Sequence, residues 1–358
     1  MALLSANDEP GAIELLHDLG CTDGLPVVIP TLERVARMVL ASGLDADVVL
    51  GEMGPLGASV TVEKVAANAV MAGCTPDHLP FVLAAIEAIL QPEFDLSEVQ
   101  STTHSIAPLI IANGPLAAVT GIASGFGALG PGHRANASIG RAVRLCMINI
   151  GGARPGTSDM ALLGHPGKFT MCLAEAEAAS PFPPLATGWG ADASADVVTV
   201  VGVEAPHSVM FVNDADSEDS PERLLRVIAG VITNTGSNNL YLRSGSVVVA
   251  LNPEHAQVLA GAGWNRASIS RRLWELATTT TGVLRSLNPA FAPRGDDNDK
   301  VHVLDSPDHV LLLVAGAEGL YSAVFPSWSA GAHGNVAVHQ MVVTGQACEI
   351  PGASNSGV

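Results

Sequence analysis

The order of apolar and polar positions predicts helices in the first half of the chain. Helices are expected over 31–42, 61–71, 76–90 and 139–150, the third with apolar residues at helical spacing. Gly73 follows the second segment, where glycine commonly ends a helix. Thr75 and Pro76 then restart the chain, because threonine caps a helix well and proline fits its first position. The apolar run 108–112 predicts a buried strand.

The pattern changes after the proline-rich segment 181–184. Beyond it, aliphatic runs of strand length occur at 197–203, 247–251 and 310–314. Helical stretches at 221–233, 253–262 and 267–279 separate them. Strands that alternate with helices indicate an α/β layer. We therefore expect a mixed α/β (α+β) fold, with a helix-rich part at 1–185 that carries most motifs and an α/β part at 186–358.

Composition excludes several classes of protein. The chain has 358 residues, of which 48% are hydrophobic and 15% charged, so general disorder is excluded. The most apolar stretches, 79–90 and 310–316, are interrupted by Glu87 or are too short to span a bilayer. A net charge of −18, from 17 basic and 35 acidic residues, argues against binding to nucleic acid or to anionic membrane surfaces.

Cysteine usage predicts a cellular compartment, and mean hydropathy predicts an assembly state. The five cysteines are an odd number, are widely spaced and form no Cys-x-x-Cys pair, which favours a reducing cytoplasm over a disulfide scaffold. The N-terminal segment does not have the features of a secretory signal. A mean hydropathy of +0.34 with so few charges predicts apolar surface covered by another copy of the chain, that is, a homo-oligomer.

A glycine-rich loop followed by arginines predicts an anion site. Residues 125–130 spell Gly-x-Gly-x-x-Gly, but they lack the flanking elements and the distal acid of a dinucleotide site. The backbone N–H groups at Gly127 and Gly130 are candidate ligands for a carboxylate or phosphate. Arg134 and Arg141 lie seven residues apart and share a helix face, and arginine suits bidentate carboxylate binding. Surface salt bridging is the alternative.

Two cysteines have neighbours that favour chemistry. Cys74 precedes the helix start at Thr75, where the partial positive charge of a helix N-terminus lowers a thiol pKa. Cys172 and Glu175 would share one face of a helix, so the carboxylate is a candidate base or co-ligand. For both cysteines the alternative is an ordinary buried thiol.

Two histidines and one lysine complete the candidate residues. His104 lies just before the predicted strand 108–112, where it could act as a general base. His207 follows the predicted strand 197–203, and α/β folds gather ligands at the carboxyl ends of their strands. Lys168 is one of three lysines and is a candidate cation of the site.

The order of several motifs resembles a known family. The chain is similar to the large domain associated with UGSC family (seleno)proteins, and the similarity is densest over residues 61–177. The resemblance rests on the segments 22–26, 61–74, 102–104, 113–115, 130–136, 166–168 and 236–239. It implies thiol or selenol chemistry and adds Asn136 to the site. The chain lacks the Cys-Gly-Ser-Cys motif itself, so a redox part would be absent or a separate small protein.

These patterns predict a cytoplasmic enzyme that acts on a small anionic organic molecule. Arg134, Asn136, Arg141, Lys168, His207 and the glycines would bind the anion, and Cys74 or Cys172 would supply thiolate chemistry with His104 and Glu175 as proton carriers. Lyase, hydrolase and reductase activities all fit, and we expect a role in secondary metabolism. A zinc or iron enzyme with Cys, His and Glu ligands is one alternative. A non-catalytic partner subunit of a small redox protein is another; the cofactor stays open.

Overall fold

The computed structural model describes residues 4–329 and 331–344 and shows a mixed α/β fold, which confirms the predicted fold class. The described helices are α1 Glu9–Asp18, α2 Leu32–Ser42, α3 Val62–Ala72, α4 Leu79–Ile89, α5 Leu96–Ser101, α6 Pro115–Val119, α7 Arg134–Asn149, α8 Ser220–Ile232, α9 Asn238–Leu242, α10 Pro253–Gly261, α11 Arg266–Leu276 and α12 Thr281–Leu287. The described strands are β1 Val49–Met53, β2 Ala58–Thr61, β3 Ala107–Asn113, β4 Cys172–Ala174, β5 Val197–Val203, β6 His207–Met210, β7 Val247–Leu251, β8 Thr278–Thr280, β9 Lys300–His302, β10 Val310–Val314, β11 Tyr321–Phe325 and β12 Val338–Met341.

Local signals set the ends of the early helices. The Thr31 hydroxyl accepts a hydrogen bond from the Arg34 amide at the start of α2, and Thr61 caps α3 in the same way. Gly73 ends α3 in the left-handed region at φ 86°. The chain restarts after Thr75 as predicted, but first as a 3₁₀ turn over Pro76–His78 that leads into α4.

Two four-stranded sheets form the centre of the fold. The first has the order β12-β5-β3-β4, and the second has the order β6-β11-β7-β10. In both, the first two pairings are antiparallel and the last is parallel. The two sheets therefore share one topology. The short strands β6 and β12 are exchanged between the sheets. Along the chain, β6 follows β5 of the first sheet but pairs in the second, and β12 follows β11 of the second sheet but pairs in the first.

Side chains along the strands point alternately to two buried faces, and the fold therefore has four layers. Ile110 and Ala112 of β3 face a core shared with α3, α4 and α7. Leu109 and Ile111 point the other way, into a core that also contains residues of β7 and β10. The outer face of the second sheet packs on α8, α10 and α11. The order of layers is therefore helices, sheet, sheet, helices.

The predicted division of the chain and one predicted helix need correction. The first sheet takes β3 and β4 from before residue 185 and β5 and β12 from after it, so a division there passes through a sheet. The segment 172–174 is strand β4, because Cys172 pairs with Ile110 of β3. Successive side chains of a strand alternate in direction. Cys172 and Glu175 therefore do not share a helix face.

Candidate functional site

Strand register brings polar side chains together at one end of the first sheet. Strands β3 and β5 are antiparallel and Ala107 pairs with Val203, so the residues before β3 meet those after β5. His104 and Glu204 occupy these positions, and the His104 Nε2 atom lies 3.1 Å from the Glu204 Oε1 atom. The two side chains are 24% and 25% exposed, so this pair is accessible to solvent.

The chain before β4 reaches the same end, because β4 runs parallel to β3. The Leu162 amide donates to the Thr103 carbonyl at 3.0 Å, and the Gly164 amide donates to the Ser105 hydroxyl at 2.9 Å. These two hydrogen bonds fix the loop over 162–164 beside the segment 103–105. His165 and Lys168 follow directly and are held at this end of the sheet.

One buried carboxylate joins two of the cations. Asp159 is 4% exposed and lies 2.7 Å from Arg144 of α7 and 3.0 Å from Lys168. Burial raises the pKa of Asp159, but Lys168 and Arg144 lower it more, so the carboxyl stays ionised below its usual range. Burial lowers the pKa of Lys168, and the Asp159 charge opposes that shift. This triad has a net charge of about +1 at neutral pH.

Arg144, Asp159, His165 and Lys168 line a cleft of about 800 Å³, and His104 and Glu204 lie outside its lining. Three of the chain's 17 basic side chains, Arg144, Arg154 and Lys168, contribute to its wall. Arg154 donates to the Gly20 carbonyl at 2.5 Å and forms no ion pair with any residue that the structure describes. Gly20 has φ 65°, and a Cβ atom there would lie 2.2 Å from the Arg154 guanidinium, so glycine permits this approach. The cleft is thus a positive site on a strongly acidic chain.

His165 is the titratable ring on the wall of the cleft. Its Nδ1 atom accepts from the Gly167 amide at 3.1 Å, which places the proton of the neutral ring on Nε2. Burial lowers the pKa of His165, and the Lys168 charge lowers it further, against smaller opposing effects that include Glu204. The neutral ring is therefore favoured at pH 7, with its one lone pair, on Nδ1, occupied by the hydrogen bond from the Gly167 amide.

The two arginines predicted to bind the anion are engaged by the protein instead. Arg134 is exposed and donates from Nε and Nη2 to the Gly73 carbonyl, at 3.2 and 2.9 Å, at the C-terminal end of α3. Arg141 makes a bidentate pair with Asp23, at 2.7 and 2.8 Å. Neither side chain lines the cleft. The arginines that do line the cleft are Arg144 and Arg154, together with the predicted Lys168.

The glycine-rich loop is fastened internally. Asn136 uses both side-chain atoms on it: Oδ1 accepts from the Ala123 amide at 2.8 Å, and Nδ2 donates to the Ala123 and Ala128 carbonyls at 2.8 and 3.0 Å. The Gly130 amide donates to the Gly127 carbonyl at 2.7 Å, so that N–H is already used. Asn136, Gly127 and Gly130 shape the loop and do not line the cleft.

The thiols lie inside the helix-facing core of the first sheet. Cys74, Cys146 and Cys172 are 8%, 0% and 2% exposed. Burial raises the pKa of the Cys74 thiol, and the neighbouring Cys172 raises it further; burial raises the pKa of Cys172 to about 12. The expected depression of the Cys74 pKa is therefore wrong, since burial outweighs the helix terminus. Cys348 lies outside the described residues.

Glu175 and His207 lie away from the predicted constellation. Glu175 accepts from the Asn113 side chain and from the Leu185 amide, both at 2.6 Å, and pairs with Arg266. Asn113 ends β3, whereas His104 precedes it, and seven residues of strand separate the two ends by about 20 Å. His104 and Glu175 therefore cannot serve one substrate as proton carriers. His207 is exposed at the start of edge strand β6 and does not line the cleft.

A second, larger cavity of about 940 Å³ lies beneath α1 and between α2, α3 and α7. Its lining is mainly apolar, and it includes Cys21, Leu16 and Met71. Its two basic residues are committed to backbone carbonyls: Lys64 donates to Ser59, and Arg34 donates to Ile29 at 2.9 Å. No histidine lines it. The residues of this cavity therefore make it a weaker candidate for a reaction site than the cleft.

Sequence reasoning missed Arg154, Asp159, His165 and Glu204. The spacing of Asp159, His165 and Lys168 within ten residues was an available signal. The contact between His104 and Glu204 depends on the register of β3 and β5, which the sequence does not display. Among residues 4–329 and 331–344, no group of three His, Cys, Asp or Glu side chains is placed to hold a metal ion.

Comparison of the chain with protein-family models, with curated proteins and with solved structures finds no match. Within the part of the chain that the structure describes, no helix combines the length and the apolar character needed to cross a membrane.

Proposed function

We propose that the chain is an enzyme that binds a small organic anion in the cleft at the end of the first sheet and acts on it by proton transfer. One observation carries this proposal: Arg144, Arg154 and Lys168 line the same cleft in a chain of net charge −18. Charge of one sign on the walls of a cleft concentrates ligands of the opposite sign there. Arg154 is the cation of the cleft that no carboxylate of the described residues neutralises, whereas Asp159 is shared between Arg144 and Lys168.

His165 supplies the proton-transfer group in this proposal. Its lowered pKa keeps the ring neutral near pH 7, and Nδ1 can take a proton as a general base once a substrate displaces the hydrogen bond from the Gly167 amide. His104 and Glu204 are close enough for their charges to act on the same ring: Glu204 raises the pKa of His165 and His104 lowers it. The arrangement supports lyase or hydrolase chemistry more than thiol chemistry, because the described thiols near the first sheet are buried and stay protonated.

The cytoplasmic location and the homo-oligomer belong to the same proposal. Cys21, Cys74, Cys146 and Cys172 are all unpaired, as in proteins of reducing compartments. Val119 and Phe126 are 83% and 84% exposed, which is consistent with apolar surface that a second copy would cover. Size-exclusion chromatography with light scattering would measure the assembly state.

Anion binding is tested by NMR titration with inorganic phosphate and with a panel of small carboxylates. We expect binding that weakens at least tenfold in Lys168→Ala and in Arg154→Ala. Arg37→Ala is the matched control, because Arg37 is exposed on α2 and does not line the cleft. Anions that bind equally well to all three variants, or to none including the native chain, would refute the site.

Proton transfer is tested separately on the anions that bind. Each is incubated with the protein in D₂O, and one-dimensional NMR follows loss of C–H signals and appearance of products. We expect turnover in the native chain and in Arg37→Ala, and a loss of at least a hundredfold in His165→Asn. Turnover that His165→Asn leaves unchanged would remove His165 from the mechanism while leaving the anion site in place.

A further inference from the structure

The cleft also has apolar walls, and two of its lining side chains are unusually open to solvent. Leu163 is 94% exposed and Phe169 is 42% exposed, and both line the cleft that contains the cations. Ile148 and Pro166 extend the same apolar lining. Large apolar side chains on a concave surface gain free energy when a ligand covers them.

The backbone holds Leu163 in this exposed position. The amides on either side of it, Leu162 and Gly164, donate to the Thr103 carbonyl and to the Ser105 hydroxyl. Gly164 adopts φ 76°, a left-handed conformation that glycine adopts without strain. Leu163 therefore lies at the tip of a loop that is fastened on both sides, beside the positive wall of the cleft.

The charge of the cleft limits the charge of its ligand. Arg144, Arg154 and Lys168 contribute three positive charges, and Asp159 removes one. The Asp23 carboxylate, also in the lining, is already paired with Arg141. A balance of about +2 matches an anion with one or two negative charges.

From this juxtaposition we infer that the ligand of the cleft is an amphiphilic carboxylate, whose head group binds Lys168 and Arg154 and whose apolar body covers Leu163 and Phe169. This inference rests on the proposed function, since it names the class of anion for the same cleft. The volume of about 800 Å³ accommodates an aliphatic or aromatic body of substantial size.

The test is a series of straight-chain carboxylates, from acetate through butyrate and hexanoate to octanoate, titrated into the full-length chain by NMR below their micelle concentrations. We expect affinity to rise two- to fourfold with each added methylene group, since burial of one methylene is worth about 0.8 kcal/mol. Leu163→Ser should flatten this dependence on chain length and leave the acetate affinity unchanged.

Leu162→Ser is the matched control, because Leu162 is 85% exposed on the same loop and does not line the cleft. It should keep the native dependence on chain length. Lys168→Ala should weaken every member of the series by a similar factor and preserve the dependence.

The outcomes separate the two proposals. Carboxylates that bind with dependence on Lys168 but with the same affinity at every chain length would overturn the amphiphile and leave the anion site intact. A dependence on chain length that survives Leu163→Ser, or that Leu162→Ser removes equally, would also overturn it. Carboxylate binding that Lys168→Ala leaves unchanged would instead refute the proposed function.

Discussion

Replacement of Arg266 by methionine probes the ion pair that joins the two halves of the fold. Glu175 follows β4 of the first sheet and its side chain is fully buried at 0% exposure, whereas Arg266 begins α11 on the second sheet and its side chain is 19% exposed. Arg266 also donates to the Leu312 carbonyl of β10. Arg266→Met removes the cation, fills part of its volume and leaves the carboxylate in place.

The surroundings of the ion pair determine how much unfolding free energy the variant should lose. Removal of one partner from a buried pair costs about 3–5 kcal/mol, because the remaining charge is uncompensated. Glu175 retains two hydrogen bonds, from the Asn113 side chain and the Leu185 amide, both at 2.6 Å. Partial exposure of Arg266 reduces the loss as well. We therefore expect Arg266→Met to lower the free energy of unfolding by about 2–4 kcal/mol.

Urea unfolding at pH 7, followed by tryptophan fluorescence, measures this loss. With an m-value of about 3 kcal/mol/M, the midpoint should fall by roughly 1 M. Arg271→Met, an exposed position on the same helix, is the control and should stay within about 0.5 kcal/mol of the native chain. Adding Glu175→Gln to Arg266→Met should recover at least half of the loss, since the buried charge is then gone. A single variant as stable as the control, or a double variant that loses the sum of both singles, would refute the reasoning.

Three further predictions concern titration. Burial raises the pKa of Cys172 to about 12, so iodoacetamide at pH 8 should label Cys21 in the native chain and Cys172 only after unfolding, as peptide mass spectrometry would show; labelling of native Cys172 would contradict this. The His165 ring should titrate by NMR with a pKa below about 6.5. Lys168→Ala should raise this pKa, because a neighbouring positive charge is removed, and an unchanged pKa would refute the effect of Lys168 on the ring. Asp159 has a lowered pKa, so the stability that it contributes is present above about pH 4 and is lost as the pH falls through its folded pKa. Denaturation across pH 2–7 should therefore show a shallower acid loss in Asp159→Asn, and identical profiles would exclude the effect.

Local signals predicted the elements whose ends they determine. The Gly73 terminus is a backbone property of a single residue, and the structure confirms it. The caps that the structure shows at Thr31 and Thr61 are likewise side-chain properties of single residues. Three buried strands, at 197–203, 247–251 and 310–314, have the predicted bounds. Continuous β-branched and aliphatic runs of that length identify a strand without knowledge of its partners.

Elements that depend on distant partners were not predicted. The segment that begins at Cys172 is rich in alanine, leucine and glutamate, which favour helix, yet pairing with β3 makes it a strand. Strand β12 is partly exposed, so its four residues show no apolar run. The site follows the same rule: Lys168 was identified from the scarcity of lysine, whereas the contact between His104 and Glu204 forms only through strand register.

One end of the first sheet carries both a sealed junction with the second sheet and the charged cleft, and the two differ in their connections rather than in their strands. Where β7 begins and β11 ends, buried side chains tie the second sheet to β5 of the first: Ser327 donates to the Gly202 carbonyl at 2.9 Å, and Asn335 donates to the same carbonyl at 2.9 Å. Val203 pairs with Ser327 at this crossing of the chain between sheets. On the other side of the same sheet end, the chain before β4 is long and carries Asp159 and Lys168 over the strand ends. The crossing therefore closes the β5 side of this end, whereas the connection before β4 leaves the β3 and β4 side as an open, charged cleft.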